Sequence, residues 1–170
     1  MRAVILAAGV GKRLTREGET PPPKCLLSFD GRSLLERHLR LLRQAAVSEV
    51  VIAVGYATEQ VAAELDRLHL EPRPRLVYNH RYDLGSMLTA HVVEEALLAG
   101  GDVLLMDADL LYEQRMLAAL VREEHADRVL IDRGFVPGDE PVKLCLRNGR
   151  PVELRKRVAE GLEYDTIGES

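Results

Sequence analysis

The sequence predicts a three-layer α/β/α domain on a mainly parallel sheet, with a β-hairpin appended near its end. Three observations predict it. Short, fully apolar runs alternate with amphipathic segments through the first three quarters of the chain, and parallel neighbours need crossover helices of that kind. The runs at 3–8, 50–54 and 103–106 lack polar alternation, as strands covered on both faces do. Finally, Arg147-Asn148-Gly149-Arg150 separates two further apolar stretches, and Asn-Gly is the strongest short hairpin signal.

Residues 3–8 read Ala-Val-Ile-Leu-Ala-Ala and stop at glycines, which suits a buried strand entering a tight loop. Ser33-Leu34-Leu35-Glu36 has the form of a capping box, in which the Ser hydroxyl satisfies an orphan N–H of the first turn. Leu35, Leu39, Leu42 and Ala46 then recur at helical spacing. A second buried strand is expected at 50–54 and a second helix at 58–68. A short strand at 76–78 leads to a helix over about 86–98, and 103–106 is another strand, ending at Asp107. A helix at 116–124 and a strand at 129–131 complete the alternation, and 142–146 and 152–154 are the hairpin arms. Pro21-Pro22-Pro23 and Pro72-Arg73-Pro74 fall in loops. From Tyr164 the chain reads either as an irregular tail or as the start of an element that continues beyond Ser170.

With 170 residues, 46% hydrophobic and 29% charged, the chain has the size and balance of a single globular domain, taken as 1–170. Its net charge of −4 argues against a nucleic-acid partner, whose phosphates are held mainly by a basic face. Two cysteines, Cys25 and Cys145, are too few for a secreted disulfide framework, which points to the cytoplasm. No apolar stretch approaches the roughly 20 residues that span a bilayer, and the start lacks a signal-peptide cleavage pattern, so no membrane partner is expected. Oligomeric state leaves no mark in the composition. Of the 23 basic residues only four are Lys, at positions 12, 24, 143 and 156; amid so many Arg, a Lys can mark a site that needs a compact ammonium.

Chemistry concentrates after the first strand. Leu6-Ala7-Ala8-Gly9-Val10-Gly11-Lys12-Arg13-Leu14 places two glycines and two cations at a strand end, where open α/β sheets bind ligands and glycine lets backbone approach phosphate. It is not the dinucleotide fingerprint, which needs a third glycine where Leu14 stands. It is not a P-loop either, since Arg13 follows Lys12 in place of Ser or Thr and the first glycine is missing. What remains is a phosphate loop of a third kind, with Lys12 and Arg13 as charge partners. A rigid proline run then presents Lys24 at a defined place.

Taken together, Leu-Ala-Ala-Gly-x-Gly-x-Arg-Leu at 6–14 and Pro-Lys-x-Leu-Leu at 23–27 resemble the nucleotidyltransferases that join an NTP to a sugar phosphate or phospho-alcohol and release pyrophosphate. Val54-Gly55-Tyr56 resembles the Val-x-Gly-Tyr segment of the phosphocholine cytidylyltransferase branch. Tyr78 to Tyr82, followed by Gly85-Ser86-Met87-Leu88, resembles its Asn-Pro-x-Tyr and the helix start after it. That branch carries Asn before the serine, where this chain has Leu84-Gly85; Gly-Ser-Met there is also similar to molybdopterin cytidylyltransferases. Asp107-Ala108-Asp109 resembles the acidic motif after the fourth strand, and Glu140-Pro141-Val142-Lys143 with Arg155-Lys156 resembles the segments around the family hairpin. Gly168-Glu169-Ser170 looks like a Gly-Glu-Ser that relatives carry well before their end, ahead of a late metal-binding Asp. The resemblance runs over essentially the whole chain.

It implies a Rossmann-like nucleotidyltransferase fold and a reaction in which a substrate phosphate oxygen attacks the α-phosphorus of CTP. Two anions must meet, so the site must supply cations and a divalent metal. By resemblance, Leu6, Ala7, Ala8, Gly9, Gly11 and Lys12 form the nucleotide loop, Arg13 holds the β/γ phosphates and Lys24 meets the α-phosphate. Asp107 and Asp109 are the expected Mg²⁺ ligands, hard oxygen donors at a strand end. Asn79, Gly85 and Ser86 lie where relatives recognise the pyrimidine, an amide being able both to donate to and accept from cytosine, with Asn79 nearly as readable as a turn former. The five histidines show no paired ligand spacing. The expected partners are an NTP, with CTP favoured, and a phosphorylated small molecule. Choline calls for an aromatic cage, and with 4% aromatics and no Trp inositol, glycerol, aminoethylphosphonate or sugar phosphates fit as well. The alternatives are a sugar-phosphate nucleotidylyltransferase using UTP, dTTP or GTP, and a nucleotide-binding module without turnover.

Overall fold

The computed structural model describes residues 1–11, 20–122, 127–136, 138 and 142–169, with Ser86 given by its backbone. It divides into two compact units, Met1–Val121 and Arg122–Ser170.

The first unit is a layered α/β structure. Strands β1 (Arg2–Ala7), β4 (Glu49–Val54), β5 (Arg75–Tyr78) and β6 (Val103–Asp107) form one sheet in the order β5-β4-β1-β6. All pairs are parallel, with Ala7 opposite Val54 and Leu6 opposite Asp107. β1 is central, and its apolar residues split by parity between two cores, as a pleated strand requires. Ala3, Ile5 and Ala7 pack with Leu35, Leu39 and Leu42 of α1 (Leu34–Gln44), Val61 and Leu65 of α2 (Thr58–Leu68) and Leu117 of α5 (Gln114–Leu120). Val4 packs on the opposite face with Val51, Ala53, Val93 and Ala96, beside α3 (Ser86–Val92) and α4 (Glu94–Leu98). The capping box exists at its key bond: the Ser33 hydroxyl accepts from the Glu36 N–H at 3.0 Å. The Glu36 carboxylate turns outward to Arg67 at 2.7 Å instead of back to the cap.

Chain order and sheet order together place a switch. From β1 the chain steps outward through β4 to β5, then returns to the other side of β1 as β6. The crevice between β1 and β6, at the carboxyl ends of the strands, is where such sheets bind ligands. The glycine loop and Asp107 end on that edge.

Several boundaries differ from the sequence reading. The helix expected at 86–98 is two, broken at Val93, whose φ and ψ of −105° and 12° leave the helical region while its side chain is 1% exposed in the core. The helix expected from Met116 begins at Gln114 and closes at Leu120. A hairpin not anticipated, β2 (Ser28–Phe29) with β3 (Arg32–Ser33), turns through Asp30 and Gly31, both at positive φ. No helix among the described residues is long and apolar enough to cross a membrane.

The second unit is an antiparallel sheet, β8 (Arg150–Arg155), β7 (Lys143–Arg147) and β9 (Thr166–Glu169), ordered β8-β7-β9. Asn148 and Gly149 sit at φ 51° and 72°, the two left-handed residues of a tight hairpin turn. The segment from Tyr164, read either as an irregular tail or as the start of a further element, contains strand β9, paired along β7. Residues 129–131, expected as a strand, form no regular element, and the next residue, Asp132, makes an isolated bridge to Glu169 of β9. Lys143 is buried and donates to the carbonyls of Gly138 and Lys156, both at 2.5 Å; three donors on one ammonium let it tie two loops at once.

Candidate active site

The site begins where β1 runs out. The Leu6 carbonyl accepts from the Ala108 N–H at 3.1 Å, and the Ala8 carbonyl accepts from the Tyr56 N–H at 3.1 Å. Leu6, Ala7 and Ala8 therefore lock the strand to its neighbours on both sides before the chain is released at Gly9. Gly11 is left-handed, at φ 70°, and a Cβ there would stand 2.9 Å from Cγ of Lys24. Only glycine meets both conditions without strain. The lysine stem lies against the glycine loop for that reason. Lys12 and Arg13 lie outside the described residues.

Lys24 opens a short 3₁₀ turn, Lys24–Leu26, held by the Leu26 N–H donating to the Pro23 carbonyl at 2.8 Å. The proline run is anchored from a second direction, since the Tyr56 hydroxyl donates to the Pro21 carbonyl at 2.8 Å. Tyr56 thus fastens both the strand leaving β1 and the segment carrying Lys24. From this platform the Lys24 ammonium reaches the Asp109 carboxylate at 2.7 Å, although 85 positions separate them. Both side chains are about one-third exposed, 33% and 38%, so the pair contributes little to stability. Its value is positional.

Asp107 ends β6 and Asp109 follows two residues later. Burial pushes the Asp107 carboxyl above its ordinary value, the Asp109 charge pushes it the same way, and Lys24 opposes both. Two carboxylates and one ammonium therefore feel one another at the switch-point crevice. Among the described residues no group of three or more His, Cys, Asp or Glu gathers as a metal site. The pair still suits Mg²⁺, which takes one or two carboxylates and leaves its other positions to water and phosphate oxygens.

Two residues that sequence reasoning did not select hold this acidic loop from beneath. His38 on α1 is 1% exposed. Its Nε2 lies 3.2 Å from the Ala108 carbonyl and its Nδ1 lies 3.2 Å from the Tyr112 hydroxyl. A carbonyl only accepts, so Nε2 carries the proton and Nδ1 accepts from Tyr112. Their rings stack at 5.2 Å. Burial lowers the His38 pKa, keeping it neutral, and raises the Tyr112 hydroxyl to about 12. The signal for His38 was its place on the apolar stripe of α1, three residues after Leu35 and four before Leu42.

Asn79 takes a structural place. It is 1% exposed, its amide donates to Thr89 Oγ1 at 2.9 Å, and its oxygen accepts from the Arg81 N–H at 2.9 Å. The amide oxygen closes the turn after β5 and the amide nitrogen ties that turn to Thr89 of α3. Gly85, at φ 115° and ψ 167°, is exposed and precedes α3, whose first residue is Ser86.

Residues 3–163 match the MobA-like NTP transferase domain. The CTP:phosphoglutamine cytidylyltransferase of Campylobacter jejuni is 24% identical, over 98% of this chain and 69% of that protein. The choline-phosphate cytidylyltransferase of Haemophilus influenzae is 31% identical, over 91% of this chain and 62% of that one. The solved inositol-1-phosphate CTP transferase from T. maritima shares the fold, with a TM-score of 0.71 at 23% identity, over 99% of this chain and 67% of that one. The chain thus spans about two thirds of the length of these proteins.

Proposed function

Because the chain belongs to the MobA-like NTP transferase family and is a nucleotidyltransferase, we propose that it transfers CMP from CTP to a small phosphorylated alcohol, with release of pyrophosphate. The observation that carries the reading is the convergence of Gly11, Lys24 and Asp109 with Asp107 at the switch point. Cytidylyl specificity is supported by the relatives named cytidylyltransferases. The two thiols, both free and buried, suit a reducing cytosol.

In this reading the acceptor's phosphate oxygen forms a bond to the α-phosphorus of CTP as the bond to the β-phosphate oxygen breaks, and pyrophosphate leaves with the electron pair. Catalysis of such transfer rests on positioning and charge. Backbone N–H groups after Ala8 face the phosphates, with Gly9 and Gly11 allowing close approach. Asp109 takes one of the three Lys24 donors, and the others serve oxygens of the α-phosphate. Arg13, carried by its motif, meets the β/γ phosphates as a fork. Asp107 and Asp109 would hold Mg²⁺, which when bound neutralises phosphate charge. His38 and Tyr112 hold the acidic loop in place. Gly85 and Ser86 are proposed to line the base site, with Asn79 shaping the turn beneath it.

Calorimetric titration of CTP, UTP, dTTP and GTP, each with Mg²⁺ and with EDTA, tests this. CTP should bind tightest and only with Mg²⁺, and Asp107→Asn should remove most of that metal dependence. Preference for UTP or dTTP, or equal Mg²⁺ dependence in the variant, rejects the reading.

A further inference from the structure

Helix α1 has a second face. One stripe enters the core, while Arg37, Arg40, Leu41 and Gln44 line a cavity of about 210 Å³ completed by Arg32 and Tyr112. Three of its six lining residues are arginines and none is acidic, in a chain whose net charge is −4. Arg32 is only loosely neutralised, at 3.5 Å from a Glu36 whose other oxygen is held by Arg67 at 2.7 Å. Arg37 gives one terminal nitrogen to the Phe29 carbonyl at 2.6 Å, and its Nε is buried without a partner. Arg40 is exposed and forms no ion pair among the described residues. Three arginine side chains on one cavity wall can offer an anion several charge-assisted N–H donors, and the Arg37 Nε adds a buried donor that no protein group satisfies. The volume suits a small ion, being below the roughly 300–1,000 Å³ of pockets for larger ligands. The cavity also reaches the acidic loop, because Tyr112 is part of its wall and donates to His38, which holds the Ala108 carbonyl.

We propose that this arginine cavity binds a small phosphate-class anion, inorganic phosphate, pyrophosphate or a phosphate monoester, and that Tyr112 and His38 transmit its occupancy to the loop bearing Asp107 and Asp109. The binding and its transmission stand without the transferase reading; only their effect on turnover rests on it.

The test uses Lys24→Ala, which weakens phosphate binding at the candidate active site, and ¹⁵N-histidine NMR. Inorganic phosphate and pyrophosphate are titrated separately, so the tighter of the two shows whether the reaction's own product or free phosphate is the natural source. Saturating anion should shift the His38 ring nitrogens, and adding Tyr112→Phe should abolish that shift while binding persists by calorimetry. Adding Arg40→Gln, at an exposed side chain, with Arg32→Gln should weaken binding at least about tenfold. If the double change unfolds the protein, Arg40→Gln alone should still weaken binding several-fold. No binding in Lys24→Ala, or affinity untouched by the arginine changes, overturns the site. An unmoved His38 signal on saturation overturns the transmission.

Discussion

The backbone and stem of Lys24 are positioned by uncharged groups, a glycine whose missing Cβ makes room for the stem and prolines that precede the turn it opens, while its ammonium pairs with Asp109. Lys24→Ala should therefore leave the unfolding midpoint nearly unchanged, because a pair as exposed as Lys24–Asp109 contributes about 1 kcal/mol or less. Turnover should fall about a hundredfold or more, the loss of on the order of 3 kcal/mol of transition-state stabilisation. Full activity in a normally folding variant would remove Lys24 from the site. Asp107 carries the opposite sign in stability. Its folded carboxyl titrates above the ordinary value, so between the two values the folded state binds the extra proton and stability falls as pH rises through that window. Asp107→Asn should thus be at least as stable as the parent at pH 7 while losing Mg²⁺-dependent CTP binding. A lower melting temperature would mark Asp107 as a structural strand end. His38 works the other way again. Its folded pKa lies below the usual 6.5, the unfolded chain takes up the proton first, and stability is lost as pH falls from about 6.5. The gap in urea midpoint between wild type and His38→Gln should narrow from pH 7.5 to pH 5.5, and a constant gap would contradict a buried neutral imidazole.

Among the elements, what was legible in the sequence is what repeats. β1 and β4 are apolar and buried on both faces, β6 is an apolar run as expected but leaves Leu105 51% exposed, α1 and α2 have strict helical spacing, and the Asn148-Gly149 turn joins two arms; each announces itself over several residues. The Asp30-Gly31 hairpin uses the same left-handed chemistry but joins strands of two residues, too short for alternation to register. β9 was obscured because its four residues, Thr-Ile-Gly-Glu, have no pattern until β7 supplies a partner. The site divides likewise. The glycine loop and the proline-borne lysine are contiguous motifs, whereas the Lys24–Asp109 pair and the His38–Ala108 contact join residues 85 and 70 positions apart and exist only once the sheet has ordered its strands. Asn79 was open to two readings, base-recognition group or turn former, and the sequence alone does not show that it is buried with both amide ends hydrogen-bonded. The Tyr56 junction gives an element-scale prediction. A Cβ at Gly55 would stand 2.5 Å from Cβ of Tyr82, so Gly55→Ala must displace the turn after β5, at a cost of about 1–3 kcal/mol. A variant with wild-type stability would show that this close approach does not exist in solution.

At the scale of the whole molecule, the two units carry one buried thiol each. Burial pushes the Cys25 thiol up to about 12 and raises Cys145 as well, so neither should react with a thiol reagent at pH 8 until its unit opens. Cys25 belongs to an extended core around β1, whereas Leu144 and Cys145 are the buried apolar residues described in the second unit. Labelling in rising urea should modify Cys145 at lower denaturant than Cys25, and rapid reaction of Cys25 in buffer would contradict the packing of the first unit. The central claim concerns where the α-phosphate of CTP goes. With CTP labelled at that phosphate, Mg²⁺ and a panel of phospho-alcohols and sugar phosphates, the account predicts that the label moves onto a phospho-alcohol as pyrophosphate appears in equal amount. Label that remains in CTP or leaves as free CMP across the whole panel, or a reaction that prefers UTP or dTTP with a hexose phosphate, would contradict it.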